Sequence, residues 1–235
     1  MTIRSFTVFI FIVVLCSGVC AFGNIVDLTG GSIAWLNVRG TDNSTDMQFA
    51  TVALPASGSL SLTKPNVTAS ADYAFADTGF SMSNANYSLA ASGGVSSFAD
   101  LYGQIRFTPN VDATYTISGS FNWSGTWANG VTLWARLQDV TDATPVDVTN
   151  HLYSKSGVLT TVSLNVTAAS GRPTTGMLTS GRIYEFDFEL AADNNVNSPS
   201  PGTAWGQVAI AFVPEPATLL LLGLGGFGLL RKHRA

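Results

Sequence analysis

The feature that most constrains the fold is a strict alternation of apolar and polar side chains in the middle of the chain. Residues 114–123 place Tyr115, Ile117, Phe121 and Trp123 on one face of an extended segment, and Thr, Ser and Asn side chains on the other. The same alternation recurs at residues 182–190 and 207–212. A period of two is typical of a strand with one buried face, so the pattern predicts three β-strands.

Weaker alternation predicts further strands, at residues 32–38, 47–54, 81–90, 99–107, 131–138, 146–153 and 158–166. None of these stretches has the 3.6-residue period of an amphipathic helix. Gly, Asn, Asp and Pro separate them, and residues 91–94 and 193–202 have the composition of loops. About ten short strands without interleaved helices favour an all-β, antiparallel β-sandwich of the jelly-roll type over a βαβ fold.

The N-terminus has the three parts of a secretory signal peptide. Arg4 supplies a positive charge, residues 6–15 are almost entirely apolar, and Val19-Cys20-Ala21 is a small-residue cleavage pattern. The apolar run is shorter than the ~20 residues that a permanent membrane span requires. We therefore predict a signal helix over residues 1–21, with cleavage by signal peptidase after Ala21.

The predicted passenger domain, residues 22–212, is acidic but sparsely charged. Only 11% of the chain is charged, and residues 22–213 contain 14 acidic and seven basic side chains, a net charge of −7. No cluster of Lys and Arg is present to meet phosphates, which excludes nucleic acid as a partner. Both cysteines, Cys16 and Cys20, lie in the signal segment, so the processed core must hold without disulfides. Neither cysteine follows a small residue, which disfavours a lipoprotein.

The C-terminus has the order of a helix breaker, an apolar segment and a basic cluster. These parts are Pro214, Glu215 and Pro216, then residues 217–230, then Arg231, Lys232 and Arg234. As a helix, the 14 apolar residues reach ~21 Å, which is short against a hydrocarbon core of ~30 Å. The basic cluster should remain cytoplasmic, so the prolines should lie on the far side of the inner membrane.

This order resembles the PEP-CTERM sorting signal of Gram-negative bacteria that produce exopolysaccharide. The resemblance covers residues 213–235 and includes Val-Pro-Glu-Pro-Ala-Thr, a Leu/Gly-rich helix and the basic cluster. It implies that an exosortase, a membrane-embedded cysteine transpeptidase-like enzyme, recognises the Pro-Glu-Pro and cuts near it. The passenger would then pass from a membrane-inserted intermediate to the cell surface or extracellular matrix. A plain membrane anchor is the alternative, but it assigns no role to the two prolines.

Three tryptophans in the passenger suggest that it binds a glycan. Trp123, Trp127 and Trp134 follow one another closely, and Trp134 is out of phase with the apolar positions beside it, which predicts an outward-facing ring. Exposed rings beside Asn and Thr can stack on sugar faces, and matrix polysaccharide is the expected neighbour of a chain with this tail. Core packing is nevertheless the favoured interpretation of these residues, since tryptophans in sandwiches are usually buried.

Calcium is the ion that the composition would favour, because oxygen ligands are abundant and thiols are absent. The candidate ligands are Asp139, Asp142 and Asp147 around one turn, and Asp193, Asn194, Asn195 and Asn197 in the late loop. Neither set has EF-hand spacing, and Asx residues are also the usual turn formers. We expect no other cofactor.

The sequence offers no catalytic constellation. His151 is the one histidine outside the tail, and we interpret it as a solvent-facing strand residue. Glu185, Asp187 and Glu189 alternate along one strand, which predicts a solvated outer face and not a carboxylate pair across a cleft. The leading hypothesis is a non-enzymatic surface or biofilm-matrix protein that binds polysaccharide. A secreted carbohydrate-active hydrolase and an adhesion or ice-binding module are the alternatives, the latter because a closely related tail occurs on some ice-binding proteins.

Overall fold

Every regular element in the described part of the chain is a β-strand. The computed structural model describes residues 24–166, 173–194 and 201–215. The strands are β1 (Val26–Leu28), β2 (Ile33–Arg39), β3 (Thr45–Phe49), β4 (Ala56–Lys64), β5 (Val67–Ala76), β6 (Gly79–Leu89), β7 (Phe98–Pro109), β8 (Ala113–Asp139), β9 (Val146–Asn165), β10 (Thr175–Leu178), β11 (Tyr184–Asn194) and β12 (Gly202–Pro214). The predicted signal helix and C-terminal helix lie outside the described residues. Within them, no helix has the length and hydrophobicity to cross a membrane.

The strands form one antiparallel sheet that folds back on itself. Its order is β3-β2-β7-β11-β8-β12-β6-β5-β4, with β1 paired to β7, and β9 and β10 paired to β8. Residues 128–139 of β8 pair with β11, whereas residues 113–124 pair with β12. Strand β8 therefore belongs to two layers. The front layer contains β3, β2, β7, β11, the second half of β8 and the first half of β9. The back layer contains β4, β5, β6, β12 and the first half of β8.

Aromatic side chains fill the space between the two layers. Phe107 of the front layer packs against Phe80 and Phe212 of the back layer, with ring centroids 5.3 and 4.9 Å away. The Tyr87 hydroxyl donates to the Leu190 carbonyl oxygen at 2.9 Å, which joins the layers by a buried hydrogen bond. Burying each such ring stabilises the fold by about 1.5–3 kcal/mol. These contacts make the inner faces a single core.

Close packing requires a glycine at one inward position of the front layer. Gly103 of β7 is paired with Phe188 of β11, and a Cβ atom at Gly103 would overlap the Phe188 ring. The glycine thus lets a phenylalanine lie across its neighbouring strand.

The structure confirms the prediction of an all-β antiparallel fold and corrects several boundaries. The segments at 114–123 and 131–138 are halves of β8, and those at 146–153 and 158–166 are halves of β9. The segment at 47–54 was predicted too long, because β3 ends at Phe49. Strands β4 and β5 were not predicted, since small Ala, Ser and Gly side chains give little contrast between faces.

Candidate functional site

A line of side chains crosses the outer surface of the front layer. Directly paired residues on adjacent strands share a face of the sheet. The register therefore places six side chains in one row from β3 to β9, namely Phe49, Trp35, Tyr102, Glu189, Trp134 and Leu152. With strands ~4.8 Å apart, this aromatic row is ~24 Å long. Its end residues, Phe49 and Leu152, are 63% and 62% exposed, and the four between them are half-buried.

The rings of the aromatic row are held in place by their neighbours. Trp35 and Tyr102 have centroids 5.3 Å apart and planes inclined at 30°. The Trp134 indole Nε1–H donates to Asn150 Oδ1 at 3.1 Å, and the Arg136 guanidinium lies 4.8 Å from the Trp134 ring centroid. A positively charged guanidinium is attracted to the π electrons on the face of an aromatic ring. Each of these rings is therefore packed or hydrogen-bonded against a neighbouring side chain.

Two ion pairs lie beside the row, along β11. Arg136 donates from Nε and Nη2 to Asp187 Oδ2 at 2.9 and 2.6 Å, and Arg106 donates to Glu185. Gln104 Nε2 also donates to Glu185 Oε1, at 2.8 Å. Burial raises the pKa of Asp187, and this effect outweighs the stabilisation of its charge by Arg136.

These contacts correct the sequence interpretation of the β11 acids. Glu185, Asp187 and Glu189 do face away from the core, as the alternation predicted, but they are not a solvated face. Glu185 is 4% exposed and Asp187 is fully buried. The physical reason is the sheet order, because β11 lies between β7 and β8, whose long polar side chains close over it.

A second pair of carboxyl groups flanks the row on adjacent strands. Asp100 on β7 is paired with Ala191, two residues beyond Glu189, so the two acids are diagonal neighbours. Asp100 is 8% exposed, and its Oδ1 has no hydrogen-bond partner among the described residues. Burial, and then the charge of Glu189, raise the pKa of Asp100 to about 8. At neutral pH Asp100 is therefore mainly a neutral carboxyl group that can donate a hydrogen bond.

The structure separates the three tryptophans proposed to bind glycan. Trp123 is fully buried on the inner face, with its ring against Gly202, so it cannot stack on a sugar. Trp134 lies on the outer face, in the aromatic row, as its phase predicted. The side chain of Trp127 lies outside the described atoms. Core packing is thus the correct account for Trp123.

Two of the proposed calcium ligands, Asp139 and Asp142, converge on an arginine and not on a cation site. Arg182 donates to Asp139, and from Nη2 to Asp142 Oδ2 at 3.0 Å. Asp147 instead accepts from Gln138 Nε2 at 2.8 Å. No group of three or more His, Cys, Asp or Glu side chains within the described residues could hold a metal ion. The Arg182 guanidinium therefore occupies the position beside Asp139 and Asp142 that a calcium ion would need.

The second candidate set for calcium is only partly visible. Asn195 and Asn197 lie outside the described residues. Asn194 is buried and donates from Nδ2 to the Leu89 carbonyl oxygen at 2.8 Å, which ties β11 to the back layer. Asn194 thus contributes to the joint between the layers.

His151 is buried, contrary to the sequence interpretation. It is 1% exposed, lies opposite Ala135 on the inner face of β9, and has its Nε2 2.9 Å from Thr149 Oγ1 and 3.2 Å from the Pro173 carbonyl oxygen. The weak alternation of β9 gave the wrong phase because Thr149, a polar residue, also faces inward.

Sequence reasoning missed Trp35, Tyr102 and Asp100. The signal for Trp35 was present, because it is out of phase with Ala34, Leu36 and Val38, as Trp134 is with its own neighbours. No local signal could have aligned Trp35 with Trp134, which is 99 residues away along the chain and three strands away in the sheet.

The first residues of the sorting motif adjoin the passenger. Strand β12 ends at Pro214, which is paired with Ala113, and the Glu215 amide donates to the Asp112 carbonyl oxygen at 3.1 Å. Strand β12 thus runs two residues past the predicted passenger boundary. Pro216 and the basic cluster at 231–234 lie outside the described residues.

Three solved structures are distantly similar to this chain. An infectious bursal disease virus structure (Gx strain) is 8% identical over 78% of this chain and 56% of its own, with a TM-score of 0.30. TmCBM61, solved in complex with β-1,4-galactotriose, is 12% identical over 68% of this chain and 88% of its own, with a TM-score of 0.24. Tailspike protein 4 of bacteriophage CBA120 is 11% identical over 76% of this chain and 19% of its own, also at 0.24. Such scores are too low to bear on function.

Comparison of sequences is informative at one end of the chain. No curated protein matches it. The sequence model of the PEP-CTERM protein-sorting motif matches residues 212–235, one residue earlier than the predicted boundary. The match includes the Pro-Glu-Pro, the apolar segment and the basic cluster on which the resemblance was based. The chain therefore carries a PEP-CTERM protein-sorting motif, which implies an exported protein that is anchored transiently in the membrane.

Proposed function

We propose that this chain is a non-enzymatic protein of the cell surface or biofilm matrix, with a passenger of the jelly-roll type that binds polysaccharide along the aromatic row. The sorting motif supports export, with signal peptidase and an exosortase as partners. The observation that carries the glycan assignment is the row itself, in which Trp35, Tyr102 and Trp134 lie on one line across adjacent strands.

The chemistry of the row suits a sugar chain. Aromatic rings offer flat apolar surfaces to the C–H faces of sugars, and the polar groups around them can bond to hydroxyls. Glu189 supplies a half-buried acceptor between the rings. A row of ~24 Å would engage several consecutive sugars of an extended polysaccharide.

The aromatic row can be tested by affinity electrophoresis through gels that contain the exopolysaccharide of the producing bacterium. Trp35→Ala and Trp134→Ala should each weaken binding about tenfold or more, because each removes a ring from the contact surface. Met177→Ala, which truncates a 49%-exposed side chain on β10 outside the row, is the matched control. Unchanged retardation of both tryptophan variants, with native circular dichroism, would contradict the proposal.

A secreted carbohydrate-active hydrolase is the second candidate, and Asp100 and Glu189 are the observation that favours it. One carboxyl group is protonated at neutral pH and the other is its neighbour, as in general-acid catalysis of glycoside cleavage. Incubation with the exopolysaccharide followed by measurement of new reducing ends distinguishes the candidates. Reducing ends that appear with the wild type and are lost in both Asp100→Asn and Glu189→Gln would replace the non-enzymatic proposal. The mixed charges of this face, among them Arg136, Asp187 and Glu189, do not resemble the flat, regular Thr- or apolar-rich surface that an ice-binding module needs.

The sorting step has its own test. Replacement of Pro214, Glu215 and Pro216 by alanine should leave the chain in the inner membrane, whereas Val213→Ala, just before the motif, should be processed normally. Mass spectrometry of the extracellular protein should find a C-terminus near the motif. A mature surface protein that still ends in the basic residues 231–234 would refute the sorting proposal.

A further inference from the structure

An exposed tryptophan marks a second surface, on the back layer. Trp205 of β12 is 45% exposed and faces away from the core, between Asn86 of β6 and Asn122 of β8. A pocket of about 470 Å³ lies beside it, lined by Asn84, Ala85, Asn86, Ser120, Trp205, Gly206 and Gln207. This volume lies in the range of small-molecule sites. The pocket belongs to the opposite layer from the aromatic row.

A β-bulge shapes this pocket. The register of β6 against β12 shifts between Gly206 and Val208, and Asn84 in the bulge has a φ of 50°. Asn is one of the few residues that adopt this left-handed conformation at small cost. Asn84 is further held by a hydrogen bond from its Nδ2 to Asp72 Oδ2 at 2.8 Å. Bulges commonly re-aim a side chain beside a binding site, and here the re-aimed group is an amide.

The polar side chains that line the pocket are uncharged, and three of them are available to a ligand. Its lining holds amides and a hydroxyl but no acidic or basic side chain. Among the described residues, the side chains of Asn86, Ser120 and Gln207 have no hydrogen-bond partner. Amides can donate and accept at once, as sugar hydroxyls require. A charged ligand would find no counter-ion here.

We propose that the Trp205 pocket is a second saccharide site, which takes an uncharged sugar chain with one ring stacked on Trp205 and its hydroxyls bonded to Asn84, Asn86 and Gln207. This site does not depend on the aromatic row, from which it differs in face, in lining and in charge. Because the two surfaces lie on opposite layers, one molecule with both would cross-link two polysaccharide strands.

Affinity electrophoresis of the full chain tests this site with neutral galactan, xyloglucan and glucomannan, and with anionic polygalacturonate as the charged comparison. The variants are Trp205→Ala and Trp205→Phe, each made in the wild type and in a Trp35→Ala/Trp134→Ala background that lacks the aromatic row. Trp205→Ala should weaken retention by at least one neutral polysaccharide about tenfold in both backgrounds, and Trp205→Phe should retain most of it. Polygalacturonate binding should not depend on residue 205.

The outcomes separate the two sites. Neutral-glycan binding that survives loss of the aromatic row and then disappears with Trp205→Ala supports the second site, whatever becomes of the first. Binding that is abolished by loss of the row alone, or is unchanged by Trp205→Ala in both backgrounds, overturns it. The absence of retention by all three neutral polysaccharides also overturns it. Asn86→Ala, at an exposed position, should weaken the same binding and provides a check if Trp205→Ala alters the circular dichroism spectrum.

Discussion

Asp100→Asn should make the protein more stable at neutral and alkaline pH, and the gain should grow with pH. The pKa of Asp100 rises from 3.8 to about 8 on folding, so the folded chain holds this proton more tightly than the unfolded chain does. Stability of the wild type therefore falls as pH rises from about 4 to about 8 and then levels off. Asparagine does not titrate and removes this dependence.

The size of the effect follows from the shift. At 1.36 kcal/mol for each pH unit between 3.8 and about 8, the ionisable carboxyl costs about 1.6 kcal/mol at pH 5, about 4 kcal/mol at pH 7 and about 6 kcal/mol at pH 9. Burying the asparagine amide adds a cost of about 1–3 kcal/mol that does not vary with pH. The diagnostic quantity is therefore the change of the stability difference with pH, and not its value at one pH.

Urea denaturation at pH 5, 7 and 9 measures this difference. Asp46→Asn, at an exposed site in β3, is the control and should show no such trend. Because the charge of Glu189 contributes to the raised pKa, Asp100→Asn should have a smaller pH-dependent effect in a Glu189→Gln background. A stability difference between wild type and Asp100→Asn that is constant from pH 5 to pH 9 would refute the reasoning.

Three further outcomes follow from the packing. Gly103→Ala should destabilise the protein by about 1–3 kcal/mol in urea denaturation, because the new Cβ overlaps the Phe188 ring, and a loss below about 0.5 kcal/mol would show that the ring moves freely. Trp123→Ala should cost about 3–5 kcal/mol and lower the melting temperature, whereas an unchanged melting temperature would contradict its place in the core. Calcium or a chelator should leave the melting temperature of the wild type unchanged because Arg182 already neutralises Asp139, and a calcium-dependent rise would contradict that assignment.

Much of the fold could be predicted because the inward and outward phase of a strand is a local property. Tyr115, Ile117 and Trp123 alternate with small polar residues, and the structure buries all three. The same rule correctly turned Trp134 outward. It failed where polar residues face the core, as His151 and Thr149 do, since their mutual hydrogen bond compensates for burial in a way that hydrophobicity does not record.

The candidate site could be predicted only in part. The outward phase of Glu185 and Asp187 was correct, yet their environment was not, because the side chains that cover them come from β7 and β8. The environment of Asp139 could not be predicted for a related reason, since Arg182, which donates to it, lies just before β11 and 43 residues away along the chain. In both cases, an arginine remote in sequence pairs with the carboxyl group and neutralises its charge.

The sequence by itself determined two things about this protein, the period-two pattern that commits it to β-strands and the sorting motif at its C-terminus. Both are contiguous, so neighbouring residues are enough to specify them. Tertiary structure alone decided which outward side chains stand together, because that depends on the order in which strands pair. The order β2-β7-β11-β8 aligns Trp35, Tyr102, Glu189 and Trp134, and the pairing of β6, β12 and β8 gathers uncharged groups around Trp205.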